Sequence, residues 1–220
     1  SGAVKERFAV STVGVGYDFN ELLMTAIADH GSGRYHFLED PAVFAALFET
    51  DDRLRWRAVE ALGWRAGVVA EDDEESVRDW IRRIFWNMME ESGGLMWHGP
   101  EAIGEMLYNA PELIPEYVGP LGSFCVEEPF EAGSYMALAR IAPRSPESVA
   151  RIAQMLVPGL VDGDPRIRAH AALALRRVGF KKAAGELEAL AADDAGLTVY
   201  EHDAGDMAET TVASFLKSQV

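Results

Sequence analysis

Glu90-Glu-Ser-Gly-Gly-Leu-Met-Trp-His-Gly-Pro100 is where side chains able to do chemistry crowd together. Two neighbouring carboxylates, Glu90 and Glu91, precede a Gly-Gly pair, and Trp97 and His98 stand between glycines further on. A carboxylate beside an imidazole can take and return a proton, and an indole offers a flat apolar face with one N–H donor. Connecting segments commonly carry function when a rigid scaffold holds them. Trp97, His98, Glu90 and Glu91 therefore form the candidate interaction loop. A packing role also fits: Trp97 would fill a gap between adjacent helices and His98 would satisfy a helix end.

The remaining chemistry-bearing residues do not fall into sets. His30, His36, His98, His170 and His202 include no i, i+4 pair of the kind that holds a metal on a helix. The sequence has no Gly-x-Ser-x-Gly elbow, phosphate loop or Cys-x-x-Cys. Gly14-x-Gly16 lacks the third glycine of a dinucleotide site. Cys125 is the single cysteine, so no intramolecular disulfide forms. Its apolar run, Gly122-Ser-Phe-Cys-Val126, points to a buried structural thiol. These features favour a non-enzymatic protein that uses no cofactor and no metal.

Charge narrows the partners. A formal net charge of −16 and a pI near 4.7 argue against non-specific nucleic-acid binding, which needs a cationic footprint. The same excess disfavours an anionic membrane surface. No run of about 18 apolar residues is present to span a bilayer. The opening Ser1-Gly-Ala-Val-Lys-Glu lacks a secretory pattern, so a cytoplasmic location is expected by default.

The elements that must position these residues come from a repeat. Asp51-Asp-Arg-Leu-Arg-Trp-Arg-Ala-Val-Glu-Ala-Leu62 and Asp164-Pro-Arg-Ile-Arg-Ala-His-Ala-Ala-Leu-Ala-Leu175 share one pattern. Pro129-Phe-Glu-Ala-Gly-Ser-Tyr-Met-Ala-Leu138 is a weaker copy, and Pro100-Glu-Ala-Ile-Gly-Glu-Met-Leu107 a candidate fourth. Ala137-Leu138 lies 76 residues after Ala61-Leu62 and 37 before Ala174-Leu175, which suggests a unit of 37–38 residues. The leading Asp is a helix N-cap, and Pro165 suits a first helical turn. Leu54 or Ile167, Ala58 or Ala171, and Ala61 or Ala174 recur at helical spacing and should form one buried face. Small Ala residues on it let helices approach closely.

On these residues the chain resembles the HEAT-like repeat family, including the bacterial subset named after phycobiliprotein lyases. Asp164 to Gly179 carries the resemblance most closely. The span 41–192, through Arg55-Trp-Arg-Ala-Val59 and Trp86 to Ile103, is similar to a group of bacterial HEAT-like proteins. The resemblance implies a mainly α fold, a right-handed α-α superhelix of the HEAT-like or armadillo type. It transfers no activity.

Helices are expected over 51–67, 72–91 (the longest), from near Pro100, 111–122 (interrupted by Pro115 and Pro120), 130–141, 146–160, 164–178 and 181–192. Acids 71–75 would stabilise the start of the second. Its apolar side would be Val77, Ile81, Ile84, Phe85 and Met88, with Trp80 and Trp86 packing beside them, and Pro158 should bend or end the helix it sits in. Leu197-Thr-Val-Tyr-Glu-His202 alternates, and Glu209-Thr-Thr-Val212 answers it as a β-hairpin that caps the last helical face, before a short helix at 213–217.

The opening differs. Phe8 to Gly16 reads as a buried strand, 21–30 as a helix, 34–38 as a second strand and 41–49 as a helix, the grammar of a parallel sheet. Helix 41–49 is expected to serve as the first helix of the first repeat pair. Val10 to Pro41 resembles the C-terminal part of a von Willebrand factor type A domain. The family's metal-site motif, Asp-x-Ser-x-Ser, has no counterpart here, so the resemblance brings no metal. The expected organisation is a type A-like α/β segment (1–40), a HEAT-like domain (41–192) and a hairpin cap (193–220). The leading functional expectation is a scaffold or adaptor binding a protein or peptide along its concave helical face. The alternatives are a lyase- or chaperone-like cradle for a prosthetic group and a regulatory module of a larger type A protein.

Overall fold

The computed structural model describes residues 10–15, 32–38, 47, 51–89, 96 and 98–219. The chain divides into two compact units, Ser1–Ala46 and Leu47–Val220. In the first, β1 (Val10–Val15) and β2 (Ser32–Leu38) pair in parallel, with Thr12 opposite Tyr35 and Val15 opposite Leu38. The parallel grammar of the opening is thus realised in its two strands. The helices expected at 21–30 and 41–49 lie outside the described residues.

The second unit is mainly helical. Its elements are α1 (Asp52–Ala70), α2 (Glu74–Met88), α3 (Gly99–Asn109), α4 (Ile114–Ser123), α5 (Glu131–Ile141), α6 (Pro146–Leu156), α7 (Pro165–Arg177) and α8 (Ala184–Ala189). An antiparallel hairpin, β3 (Gly196–Glu201) and β4 (Asp206–Thr211), and α9 (Val212–Ser218) follow. The acidic N-caps form as the sequence demands. Asp51 Oδ1 accepts the N–H groups of Arg53 and Leu54 at 2.9 and 3.1 Å, and Asp164 Oδ1 that of Arg166 at 2.8 Å. Asp73 caps α2, so that helix starts two residues later than expected, and the 19-residue α1 is the longest among the described residues. Beyond Leu156 the chain tightens into a 3-10 turn, Val157–Val161, at the expected proline, Pro158.

Packing sorts the helices into two rows. α1, α3, α5 and α7 lie side by side, each against the next. α4 packs on α6, and α2 joins α4 where Phe85 stacks on Tyr117 and Arg78 pairs with Glu116 at 2.9 Å. The four related sequence segments are therefore the four helices of one row. Their starts at Asp52, Gly99, Glu131 and Pro165 are 47, 32 and 34 residues apart, not the constant 37–38 that two motif spacings suggest. Helices within the row approach closely because small residues meet: a Cβ on Gly104 would fall 2.7 Å from Ala137 Cα. Ile81 and Ile84 of α2, Ile103 and Leu107 of α3 and Leu138 of α5 are fully buried between the rows.

One expectation about the repeat is corrected. In α7, Ile167, Ala171 and Ala174 are buried, and in α1 Ala58 is, but Leu54 is 52% exposed and Ala61 is exposed as well. α7 has α5, the Val157–Val161 turn and α9 around it. α1 opens the row with α3 as its one neighbour within it, and it buries Trp56, Val59, Leu62 and Ala66 instead. Equivalent positions thus meet a helix at one end of the row and solvent at the other. Trp86, expected to pack, is 68% exposed.

The hairpin turn spans 202–205, where Gly205 takes a left-handed φ of +63° and its N–H bonds Glu201 O at 2.8 Å. The hairpin does not stop at the last helices, as a simple cap would. β3 lies against α7, and β4 reaches α1. Among the described residues no helix is long and apolar enough to cross a membrane.

Cys125 is buried, and that burial pushes its thiol up to about 12. The reactive thiolate is therefore scarce at neutral pH. The folded chain at pH 8 should react with a disulfide reagent orders of magnitude more slowly than the chain in urea. Rapid stoichiometric labelling without denaturant would contradict the burial.

Candidate functional site

The hairpin is fastened across the helical row by side chains far apart in sequence. Trp56 of α1 stacks on Tyr200 of β3 with ring centroids 5.0 Å apart and planes 5° from parallel. Glu60, one turn further along α1, accepts the Tyr200 hydroxyl at 2.6 Å and lies 3.0 Å from His202 Nδ1. Burial and the adjoining carboxylate both push the Tyr200 phenol upward, so it stays a donor. Arg53 pairs with Asp206 at 2.8 Å, and Arg57 reaches the Gly205 carbonyl at 3.4 Å. These four α1 residues recur at i, i+3, i+4 and i+7, so one face of α1 makes all four contacts. At the hairpin's base, Arg168 of α7 bonds Asp193 at 2.8 Å and the Asp162 carbonyl at 2.8 Å.

Between this hairpin and the row lies a groove of about 400 Å³. Met136, Ala139 and Arg140 of α5 and His170, Leu173 and Arg177 of α7 form its floor. Each triplet follows i, i+3, then i+4 or i+7 and so shares one helix face. Trp56 and Phe215 also line it, and the exposed acids Glu201 and Asp203 stand at its rim. The volume falls within the range that small ligands or a few side chains occupy.

Its two cations differ. Arg140 is neutralised: Nε and Nη2 each donate to Glu105 at 2.8 Å, and its guanidinium lies 3.6 Å over the Tyr108 ring. Arg177 is not. It donates to the Ala139 carbonyl at 2.7 Å and to Gln219 Oε1 at 3.0 Å, both uncharged, and no described carboxylate pairs with it. Burial and the charge of Arg140 hold its pKa below the ordinary arginine value. Two residues past the end of α7 stands a left-handed glycine, Gly179 (φ +65°), and the Phe180 N–H closes on Leu175 O at 3.0 Å. That stop leaves Arg177 in the last turn, where a cation favours the helix dipole.

His170 lies buried beside Arg177, its ring 5.2 Å from Phe215. Nδ1 is 2.7 Å from the Arg166 carbonyl, which can only accept, so Nδ1 carries the proton of a neutral ring. Burial drives this imidazole down to about 4 from an ordinary 6.5, against the opposing pull of that bond. Between those values the unfolded chain binds a proton that the folded chain refuses. Stability should therefore be unaffected by this group above pH 7 and fall as pH drops, by up to about 3 kcal/mol near pH 4. Urea melts of the native chain and of His170→Met at pH 7, 6 and 5 measure it. The native chain should lose more per pH unit, and equal slopes would refute the assignment.

Of the loop residues singled out by sequence, Trp97, Glu90 and Glu91 lie outside the described residues. His98 stands at the N-cap of α3 without a side-chain capping bond, and its Nδ1 lies 3.2 Å from Glu101 Oε1. It therefore meets a side chain of its own helix, and among the described residues of this stretch, 96 and 98–100, none lines the groove. Sequence reasoning passed over Trp56, Tyr200 and Arg177. For Arg177 the available signal was a second arginine just before the Gly179 stop, in the repeat's last turn. Among the described residues no group of three or more His, Cys, Asp or Glu side chains could hold a metal ion. The Glu60–His202 contact has the form of an oriented base, but Glu60 divides itself between two hairpin side chains and so fastens strand to helix. The arrangement is suited to holding an anion against apolar walls. No protein-family model, curated protein or solved structure matches the chain.

Proposed function

We propose that the chain is a non-enzymatic binding module of the HEAT-like kind, whose partner, a protein or peptide segment, inserts beneath the hairpin. The carrying observation is the groove itself, with a floor from two repeat helices, a roof from the hairpin and Arg177 without a counter-charge among the described residues. The side-by-side order of α1, α3, α5 and α7, with further helices packed on them, supports a superhelical arrangement. The hairpin also leaves a partner less of that face than an uncovered solenoid would offer.

Selection of a random peptide library on the full chain, followed by hydrogen exchange of the complexes, tests this. Enriched peptides should protect 136–140, 170–177 and 199–203. Protection confined to α2, α4 and α6, or no enrichment, would count against it. The prosthetic-group alternative rests on the family resemblance and on Trp97 and His98; His98 does not line the groove, and Trp97 lies outside the described residues. The parallel pairing of β1 with β2 favours a second placement, as a module within a larger type A protein.

A further inference from the structure

We propose that the groove recognises a carboxylate, held by the N–H donors of Arg177 that Ala139 and Gln219 leave free. This rests on the groove being the binding site and adds the chemistry of its occupant. Two of the five guanidinium donors are engaged, both to neutral oxygens. Those two bonds fix the fork in place without cancelling its charge, which is the preorganised state that bidentate carboxylate binding needs. A cation partly withdrawn from water and lacking an anion is costly to keep, so a ligand that supplies one gains more here than at an exposed arginine.

The charge count selects the class of anion. Glu105 cancels Arg140, leaving one net cation on the groove floor. Glu201 and Asp203 at the rim disfavour a multiply charged ligand such as phosphate. Met136, Leu173 and Phe215 supply apolar walls for the carbon chain behind the carboxylate. A monocarboxylate with a short apolar body fits these features, either as a free acid or as the C-terminus of a peptide.

Calorimetric titration of the full chain separates the sources. The probes are hexanoate, hexylamine, inorganic phosphate, and an acetylated Ala-Ala-Ala-Leu peptide with a free or amidated C-terminus. Hexanoate and the free-acid peptide should bind, and the amidated peptide at least tenfold more weakly. Arg177→Met should lose at least tenfold in affinity. Gln219→Glu places an internal carboxylate on the guanidinium at an exposed position, so it should abolish binding while raising the melting temperature. It also reads the proposal if Arg177→Met fails to fold. Binding of hexanoate but not of either peptide would keep the carboxylate and overturn the peptide reading. Equal binding of the two peptides, with protection in the groove, would overturn the carboxylate and keep the groove. Phosphate competing as well as hexanoate, or unchanged affinity in Gln219→Glu, would also overturn the carboxylate. No binding by any probe would overturn it as well, while the peptide-library selection judges the groove.

Discussion

Trp56→Ala should lower stability by about 3–5 kcal/mol and free the hairpin from α1 while leaving the helical rows assembled. The indole is 9% exposed and lies flat on Tyr200, so truncation removes both buried area and the stacking partner of β3. The Tyr200 and His202 bonds to Glu60 would then face water, where they contribute little against the entropy of an unfastened strand. α1 itself would persist, because Val59, Leu62 and Ala66 still pack within the stack. Trp64 of the same helix is 66% exposed, and its replacement by Ala should change stability by no more than about 0.5 kcal/mol. Urea unfolding measures the two free energies, and hydrogen exchange reads the hairpin. Amides of 197–201 and 207–211 should exchange much faster in Trp56→Ala, with α3 and α5 protected as before. Equal costs for the two tryptophans, or a hairpin still protected in Trp56→Ala, would show that the stack does not hold it.

Local signals explain why much of this unit could be read from its sequence. Asp51 and Asp164 cap helices because a short acidic side chain before an apolar run has a nearby N–H to accept. The strands at 196–201 and 206–211 follow from alternation and a turn ending in glycine. The four related segments form one row because each carries small and apolar residues at helical spacing. What stayed hidden depends on which neighbour a residue meets. Leu54 and Ile167 occupy the same motif position, yet the first faces water and the second a packed layer. Nothing in the motif states that α1 opens the row. Tyr200 and Glu60 are 140 residues apart, and no periodicity links them. Arg177 stands out only through a carboxylate it does not meet, and a missing partner leaves no pattern in a sequence. His98 stands out by composition, whereas the groove is lined by ordinary helix and hairpin positions.

Glu105→Ala should cost about 3–5 kcal/mol, although the side chain it removes is small beside an indole. Glu105 is 5% exposed at the centre of the row, with both oxygens on Arg140 and its Cγ 2.5 Å from where a Cβ on Gly63 would lie. Taking away the carboxylate strands Arg140 as a partly buried cation a short way from Arg177, so two like charges then share one groove floor. Replacing both partners tells a different story. Glu105→Met with Arg140→Met removes the charges together and fills similar volume, so the double variant should be far more stable than Glu105→Ala and near the native chain. A double-mutant cycle by urea unfolding, with the two single Met variants, gives the coupling, expected to be at least about 3 kcal/mol because each single variant strands a charge and the double variant does not. It should persist at 1 M salt, because a pair this enclosed is screened far less than a surface pair. Vanishing coupling, or a double variant as unstable as Glu105→Ala, would mean that shape and not charge sets this position. The single variants also bear on the groove. With Arg140 freed, the floor carries two cations, and a doubly charged anion such as phosphate should then bind where the native chain, with one, disfavours it.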